Sequence, residues 1–344
     1  MVAAGLAAAG HSVTLFCAKY DGAPRLEFRD GYRIVRAGGK LTVYPRALQM
    51  LWSGRLGRPD VVVDVQNGLP FWSRMATRAP VVVLVHHLHR EQWRVIYGRT
   101  LAALGWWLES RVAPRFYRRS RYVAVSDVTR AELNAIGVHR QRCTVIHNGT
   151  AEAPVTSAAR EVTPRICVLG RLVPHKRIEH VLDATAQLLI RWPKLRVAIV
   201  GDGWWREHLF ERAHVLGLGE VVEFLGHVDD QQKHDELARA WLLAAPSVKE
   251  GWGLVVVEAA THRVPTVGYR QAGGLAESVI DGETGLLADD YAGFVAAIEK
   301  LLDDRNLREQ MGRSAERYAA KFSWTTTIDA WERLLTDVAS APTD

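Results

Sequence analysis

Cysteine is scarce in this 344-residue sequence: Cys17, Cys143 and Cys167 are odd in number and form no Cys-x-x-Cys pair. That excludes a disulfide framework, argues against structural zinc and points to a reducing compartment. No apolar run approaches the ~20 residues a membrane-spanning helix needs. The opening, MVAAGLAAAGHSVTLFC, lacks a cationic start, and its apolar stretch runs straight into a strand pattern, so we expect part of a fold there rather than a signal peptide. What is present is a globular composition, 48% hydrophobic and 24% charged, which excludes disorder and collagen-like repeats. At ~150 residues per domain the length suits two cores rather than one.

Charge divides along the chain. Residues 1–153 hold 22 Lys and Arg against 10 Asp and Glu, a net +12, whereas residues 154–344 hold 22 against 28, a net −6. Two domains with different partners would produce such a split, the basic one facing phosphate groups, nucleic acid or an anionic membrane; an uneven surface of no consequence is the alternative.

Short Val/Ile/Leu-rich runs recur between turn residues: SVTLF (12–16), YRIVRAG (32–38), VVVDV (61–65), VVVLVHH (81–87), YVAVS (122–126) and CTVIHNG (143–149). A second series follows, RICVLG (165–170), RVAIVG (196–201), VEFLG (222–226), WLLAAPS (241–247), VPTVGY (264–269) and GLLAD (285–289). Runs that do not alternate belong to strands covered on both faces, as in parallel sheets. Helical periodicity fills the gaps, for example IEHVLDATAQLLIRW (178–192) and YAGFVAAIEKLLDD (291–304), so the pattern is βαβα twice over. Val2–Ala9 reads as a helix stopped by Gly10, which makes the chain begin inside a βαβ unit after its first strand. The segment 150–164, rich in Ala, Pro, Ser and Thr, marks the boundary. We therefore expect an α/β fold of two Rossmann-like, doubly wound domains facing a central cleft, residues 1–153 (lacking a first strand) and 154–322, with a final helix in 323–344 that crosses back to the first domain.

Two segments carry chemistry. In KEGWGLVVVE (249–258) a glycine-rich loop leads from a strand into a helix near Leu254, a geometry that offers backbone N–H groups to an anion. Glu250 and Glu258 can then face one ligand at two levels, although two glutamates at this spacing also occur on solvated faces. In GRLVPHKRIEHVLDA (170–184), Arg171 leaves a strand end and Lys176 precedes a helix. A guanidinium fork and an ammonium suit a diphosphate, and two ordinary surface cations are the alternative.

The series GRLVPHKR, VAIVGDG, VEFLGHV, EGWGLVVVEAA and GGLAESVIDGETGLLADD, in this order across 165–290, resembles the nucleotide-sugar domain of glycosyltransferase family 4, the retaining GT-B enzymes. GHSVTLF, PVVVLVHH, YVAVSDVT, VIHNG and FSWTTTIDAWERLL extend the likeness more weakly to both ends. The resemblance implies that Arg171 and Lys176 hold the donor diphosphate, that Glu250 faces the donor sugar and that Glu258 binds the ribose. It assigns backbone around Gly170 and from Gly251 through Trp252, Gly253 and Leu254 to Val255 to sugar and phosphate, and the turn Gly226, His227, Val228 to the base. His86 would lie beside the anomeric carbon. The family's first strand and glycine-rich loop have no counterpart here. His262 and Arg263 stand where the family has small residues, which implies altered packing of the preceding helix or of the loop beyond it.

Other signals are weighed against these. His86, His87 and His89 lack an acidic partner at ligand spacing, and no Asp-x-Asp pair of the kind that chelates a sugar-nucleotide metal occurs, so we expect no metal and no cofactor. GDGWWR (201–206) fails the dinucleotide fingerprint at Arg206. Asn148-Gly149-Thr150 reads as a turn rather than a glycosylation site. The stretch 99–122 mixes Trp106, Trp107, Phe116 and Tyr117 with Arg111, Arg115, Arg118, Arg119 and Arg121, and reads either as an amphipathic helix resting on anionic lipid or as a core helix with a solvated basic face. No nucleic-acid module accompanies the charge.

The resulting expectation is a cytoplasmic, metal-independent retaining hexosyltransferase using a nucleotide diphosphate sugar, with peripheral contact at the inner membrane face as one of the two readings of its basic first domain. A catalytically silent nucleotide-sugar-binding protein and another GT-B enzyme, such as a sugar-nucleotide epimerase or a phosphorylase, are the rivals.

Overall fold

The computed structural model describes residues 1–90, 92–93 and 97–341. The chain divides into two compact units, Met1–His147 with Trp324–Asp344, and Asn148–Ser323, so the division falls earlier than the boundary expected after Ala153.

The first unit opens with α1 (Val2–Ala8), β1 (Thr14–Cys17), β2 (Leu26–Arg29), β3 (Tyr32–Arg36) and α2 (Val43–Trp52). β1 pairs in parallel with β3, and β2 pairs antiparallel with β3. β2 is an element that the run pattern misses. Its signal is Asp30-Gly31, whose φ of 47° and 80° supply the left-handed pair that a two-residue hairpin requires. A second sheet follows from β4 (Val62–Gln66), β5 (Val81–Val85), β6 (Arg121–Ala124) and β7 (Cys143–Val145), parallel throughout and paired in that order. Among the described residues no strand joins β1 to β4, so each stands at the edge of its own sheet. Between β5 and β6 runs a helical stretch, α3 (Arg99–Trp107), a π-helical turn Leu108–Val112 and α4 (Ala113–Phe116); α5 (Asp127–Ala135) follows β6, capped by the Ser126 hydroxyl.

The second unit strings together β8 (Arg165–Leu169), α6 (Ile178–Leu188), β9 (Arg196–Val200), α7 (Arg206–Val215), β10 (Val222–Gly226), α8 (Asp230–Arg239), β11 (Leu242–Ala245), α9 (Leu254–Ala260), β12 (Thr266–Tyr269), α10 (Gly274–Ser278), β13 (Gly285–Ala288), α11 (Tyr291–Asp303) and α12 (Arg305–Ala319). Its sheet is wholly parallel in the order β10-β9-β8-β11-β12-β13. Ile166, Cys167, Val197, Ile199, Leu242 and Leu243 are fully buried in one core with helix residues such as Val181, Leu182 and Phe294, which is why these strands read as unbroken apolar runs. The order reverses between β8 and β11. At such a switch point the loops leaving the two strands diverge and open a crevice beyond their C-terminal ends.

The last helix, α13 (Trp324–Ser340), belongs to the first unit. Its Trp331 packs with Val82, Val123 and Ile146, and the Thr327 hydroxyl donates to the His147 carbonyl at 2.9 Å. Among the described residues no helix is long and apolar enough to cross a membrane.

Candidate functional site

The crevice at the β8/β11 switch point is bounded by two loops, Gly170–Arg177 after β8 and Pro246–Gly253 after β11. Close backbone approach builds the first. A Cβ on Gly201 would sit 2.0 Å from the Gly170 carbonyl oxygen, and Gly201 itself has φ 128°, so glycine is required where β9 leaves the sheet beside β8. Pro174–Lys176 then form a 3-10 turn, and Arg177 takes φ 49° to start α6. The Val248 N–H donates to the His175 carbonyl at 2.8 Å and fastens the two loops together.

Lys176 Nζ consequently meets Glu250 Oε1 in an ion pair, and the Ser247 hydroxyl donates to the same oxygen at 2.7 Å. The two charged side chains are 15% and 17% exposed, sheltered enough for the pair to be directional yet still open to a ligand. The Glu250 backbone is fixed from the other side: its N–H donates to Ala272 at 2.9 Å and its carbonyl accepts from Gly274 at 2.8 Å. A Cβ on Gly274 would lie 2.0 Å from the Gly251 carbonyl oxygen, so this junction admits glycine only. Burial, reinforced by the Lys176 and Arg171 charges, holds the His175 imidazole below its ordinary range.

Lys176 and Glu250 are thus brought together, a pairing that the sequence reading did not draw. Arg171 stands outside their cluster, exposed and hydrogen-bonded to no described residue. Gly251, Trp252 and Gly253 are buried, with the Trp252 ring 4.8 Å from that of Phe322, while Leu254 is exposed and Val255 half-buried at the start of α9. Gly170 follows β8 with φ 148° and Gly226 ends β10 with φ 67°, His227 is exposed, and Val228 packs on the core.

Glu258 lies on α9 and pairs through Oε1 with Lys233 Nζ at 2.9 Å, a partner that sequence reasoning missed. Burial pulls the Lys233 ammonium down, but Glu258 and Asp230 outweigh it and raise the pKa overall. The unusual His262 and Arg263 also find partners. His262 Nε2 lies 2.7 Å from His234 Nδ1, and Arg263, at φ 58°, pairs with Glu316 at 2.8 Å.

In the first unit His86 follows the end of β5, half-buried, its backbone carbonyl accepting from the Thr129 hydroxyl at 3.2 Å. Burial, with His89 nearby, lowers its pKa. His86 and His87 both lie beyond the strand end rather than within it, which corrects the expected span of 81–87. His89 is held more tightly. The fully buried Glu109 accepts from its N–H at 3.1 Å, lies 3.1 Å from its Nδ1 and accepts from Trp93 Nε1 at 2.8 Å, while Asn67 Oδ1 sits 2.8 Å from its Nε2. The signal for Glu109 is that it is the single acid among the arginines of 99–121. Among the described residues no three His, Cys, Asp or Glu side chains gather as a metal ion requires.

Residues 1–152 match the Glycosyltransferase Family 4 model, and residues 151–318 match Glycosyl transferases group 1. A D-inositol 3-phosphate glycosyltransferase from Corynebacterium diphtheriae is 35% identical over 185 residues, which is 52% of this chain and 43% of that protein. A glycogen synthase from Mycobacterium tuberculosis is 33% identical over 195 residues, 54% of this chain and 46% of that one. The matched region thus spans less than half the length of these curated relatives. Among solved structures, a sucrose-phosphate synthase from Thermosynechococcus elongatus superposes with a TM-score of 0.84 at 20% identity, covering 99% of this chain and 92% of its own. HepE from Anabaena, in complex with UDP and glucose, gives 0.72 at 20% identity, covering 89% and 86%. The fold they share is GT-B, two Rossmann-like α/β units.

Proposed function

The chain belongs to glycosyltransferase family 4, and from that premise we propose that it is a retaining, metal-independent enzyme that moves a hexose from a nucleotide diphosphate sugar to an acceptor hydroxyl. The observation that carries the reading is the Lys176, Glu250 and Ser247 cluster at the switch point of the second sheet. An ammonium has three donors, so Lys176 can keep Glu250 and still bind diphosphate oxygens, while the exposed Arg171 supplies a free guanidinium fork. The anomeric carbon–oxygen bond to the diphosphate breaks as the acceptor oxygen attacks the same face, and the acceptor proton passes to the departing phosphate oxygen. Lys176, Arg171 and the backbone N–H groups near Leu254 stabilise that leaving charge. Glu250 orients the sugar, Glu258 takes the ribose, the Gly226 to Val228 turn lies by the base, and His86 steadies positive charge at the anomeric carbon. The UDP and glucose bound in HepE support a nucleotide donor.

The test is a panel of UDP-, GDP- and ADP-sugars assayed for nucleotide release with candidate acceptors. Release of one nucleotide supports the transferase. Binding without release would indicate a silent nucleotide-sugar-binding protein, a new sugar nucleotide without acceptor an epimerase, and turnover only with free phosphate a phosphorylase.

We further propose that the chain is cytoplasmic and touches the inner membrane face, and one specific observation supports that contact. Leu101, Leu104 and Trp107 are 60%, 50% and 54% exposed along one face of α3, the helical stretch continues through exposed Arg111 and Arg115, and exposed Arg118 and Arg119 follow in the turn beyond it. An apolar stripe ending in cations suits an anionic lipid surface.

A further inference from the structure

Helix α8 is clasped at two points, once to α9 and once to the turn that follows α9. Lys233 reaches Glu258 Oε1 at 2.9 Å, and one residue on, His234 Nδ1 meets His262 Nε2 at 2.7 Å. Asp229 caps α8 by accepting from the Gln232 N–H at 2.8 Å, and the Thr261 hydroxyl donates to the Glu258 carbonyl at 2.7 Å, so both helix ends are fixed where the pairs form. Lys233 also meets Asp230 at 3.0 Å, but that carboxylate is 90% exposed and its pull is screened. The Lys233 and Glu258 side chains are 19% and 22% exposed, which makes this the stronger of the two pairs. Glu258 Oε2 takes no hydrogen bond from a described residue.

We propose that Lys233 is a positioning residue for the nucleoside: it ties Glu258 through Oε1 and leaves Oε2 to accept from the ribose hydroxyls of a nucleoside diphosphate. The proposal rests on the reading that Glu258 faces ribose. Two physical effects make the lysine matter. A glutamate held at one oxygen loses less rotamer entropy when ligand arrives. A carboxylate neutralised by an ammonium does not repel an anionic nucleotide, whereas an uncompensated one does.

The experiment is calorimetry with UDP, 2′-deoxy-UDP and 3′-deoxy-UDP, and GDP as a second base, on the full chain, comparing wild type with Lys233→Met, Lys233→Arg and Glu258→Gln. Wild type is expected to prefer UDP over the deoxy analogues. Lys233→Met should weaken UDP about tenfold and bring the ratio of UDP to deoxy-UDP affinity towards one, with Lys233→Arg restoring most of both. In the double variant Lys233→Met/Glu258→Gln the loss should not exceed that of Glu258→Gln alone, because the two residues act as one. If Lys233→Met weakens UDP and its deoxy analogues equally, the role is structural only and the proposal fails. If Glu258→Gln loses ribose discrimination while Lys233→Met keeps it, the Glu258 reading stands and Lys233 falls. If wild type binds neither UDP nor GDP, or binds without sensing the ribose hydroxyls, the underlying reading fails and takes this one with it.

Discussion

Lys176 and Glu250, 74 residues apart in sequence, share one ion pair at the point where the second sheet reverses its strand order. The pairing follows from topology: β8 and β11 are neighbours in the sheet, so the loops that leave them meet, and the Val248 to His175 hydrogen bond sets their register. The Lys176 and Glu250 charges therefore balance each other before any ligand arrives. A diphosphate entering it finds an ammonium already aimed and still holding unused donors, and a carboxylate kept from swinging towards the phosphates by Lys176 and Ser247.

Replacing Lys176 by Met should lower turnover ~10²-fold or more, since it would remove a donor aimed at charge that develops as the diphosphate departs. Ser247→Ala leaves both charges in place and loosens only Glu250, so its kcat/KM should fall about tenfold. Steady-state kinetics with the donor selected by the panel checks both. Full turnover in Lys176→Met would remove that residue from the mechanism.

The arginine-rich end of the α3–α4 stretch gives a second expectation. With Arg115, Arg118 and Arg119 all changed to Gln, partition onto phosphatidylglycerol vesicles should drop about a hundredfold, at ~1 kcal/mol for each cation removed. Flotation at low and high salt is the measurement, and wild-type binding should fade as salt rises. Equal binding by the triple variant would return these arginines to an ordinary solvated face.

The parts of this molecule that are legible in the sequence are those where burial is two-sided or where chemistry imposes residue type. β8, β9 and β11 stand out because their side chains are enclosed on both faces, and Lys176, Glu250 and Arg171 stand out because cations and glycine beside a helix start are the pattern that the proposed diphosphate site would require. β2 is hidden because Leu26 and Phe28 point outwards, 53% and 74% exposed, and alternate with Glu27 and Arg29 in a hairpin whose only local mark is Asp30-Gly31. The pairings Lys233 with Glu258 and Glu109 with His89 are 25 and 20 residues apart. Such contacts have no characteristic spacing, because tertiary packing alone decides them.

The buried end of β8 carries a stability prediction. Arg165 donates to Glu236 at 2.6 Å and to Glu223 at 2.7 Å, and Glu236, 9% exposed at its side chain, also holds Arg239 at 2.6 Å. Arg165→Met leaves the buried Glu236 carboxylate with the more exposed Arg239 alone and should cost ~2 kcal/mol in urea unfolding, with the m-value unchanged. Adding Glu236→Gln should recover part of that loss. The exposed Arg191 to Glu299 pair is the contrast: Arg191→Met should cost under ~1 kcal/mol.

The His234 and His262 contact makes the second unit sensitive to acid. His262 titrates at 6.5 in an unfolded chain and at about 4 in the folded unit, first because burial disfavours its charged form and then because His234 and Arg160 repel it. His234 is lowered too, by burial and by Lys233, with Glu258, Asp230 and Asp235 pulling the other way. Between these two pKa values the unfolded chain binds a proton that the folded chain does not, so stability rises with pH across the window. It is fully present above about 6.5 and is lost as pH falls towards 4; below that value both states are protonated and the loss stops. The Tm measured from pH 7.5 down to 4 should therefore fall through this interval. His262→Asn should flatten the slope, whereas His214→Asn, at an exposed position on α7, should leave it as in wild type. An unchanged slope in His262→Asn would show that the acid sensitivity of the fold arises elsewhere.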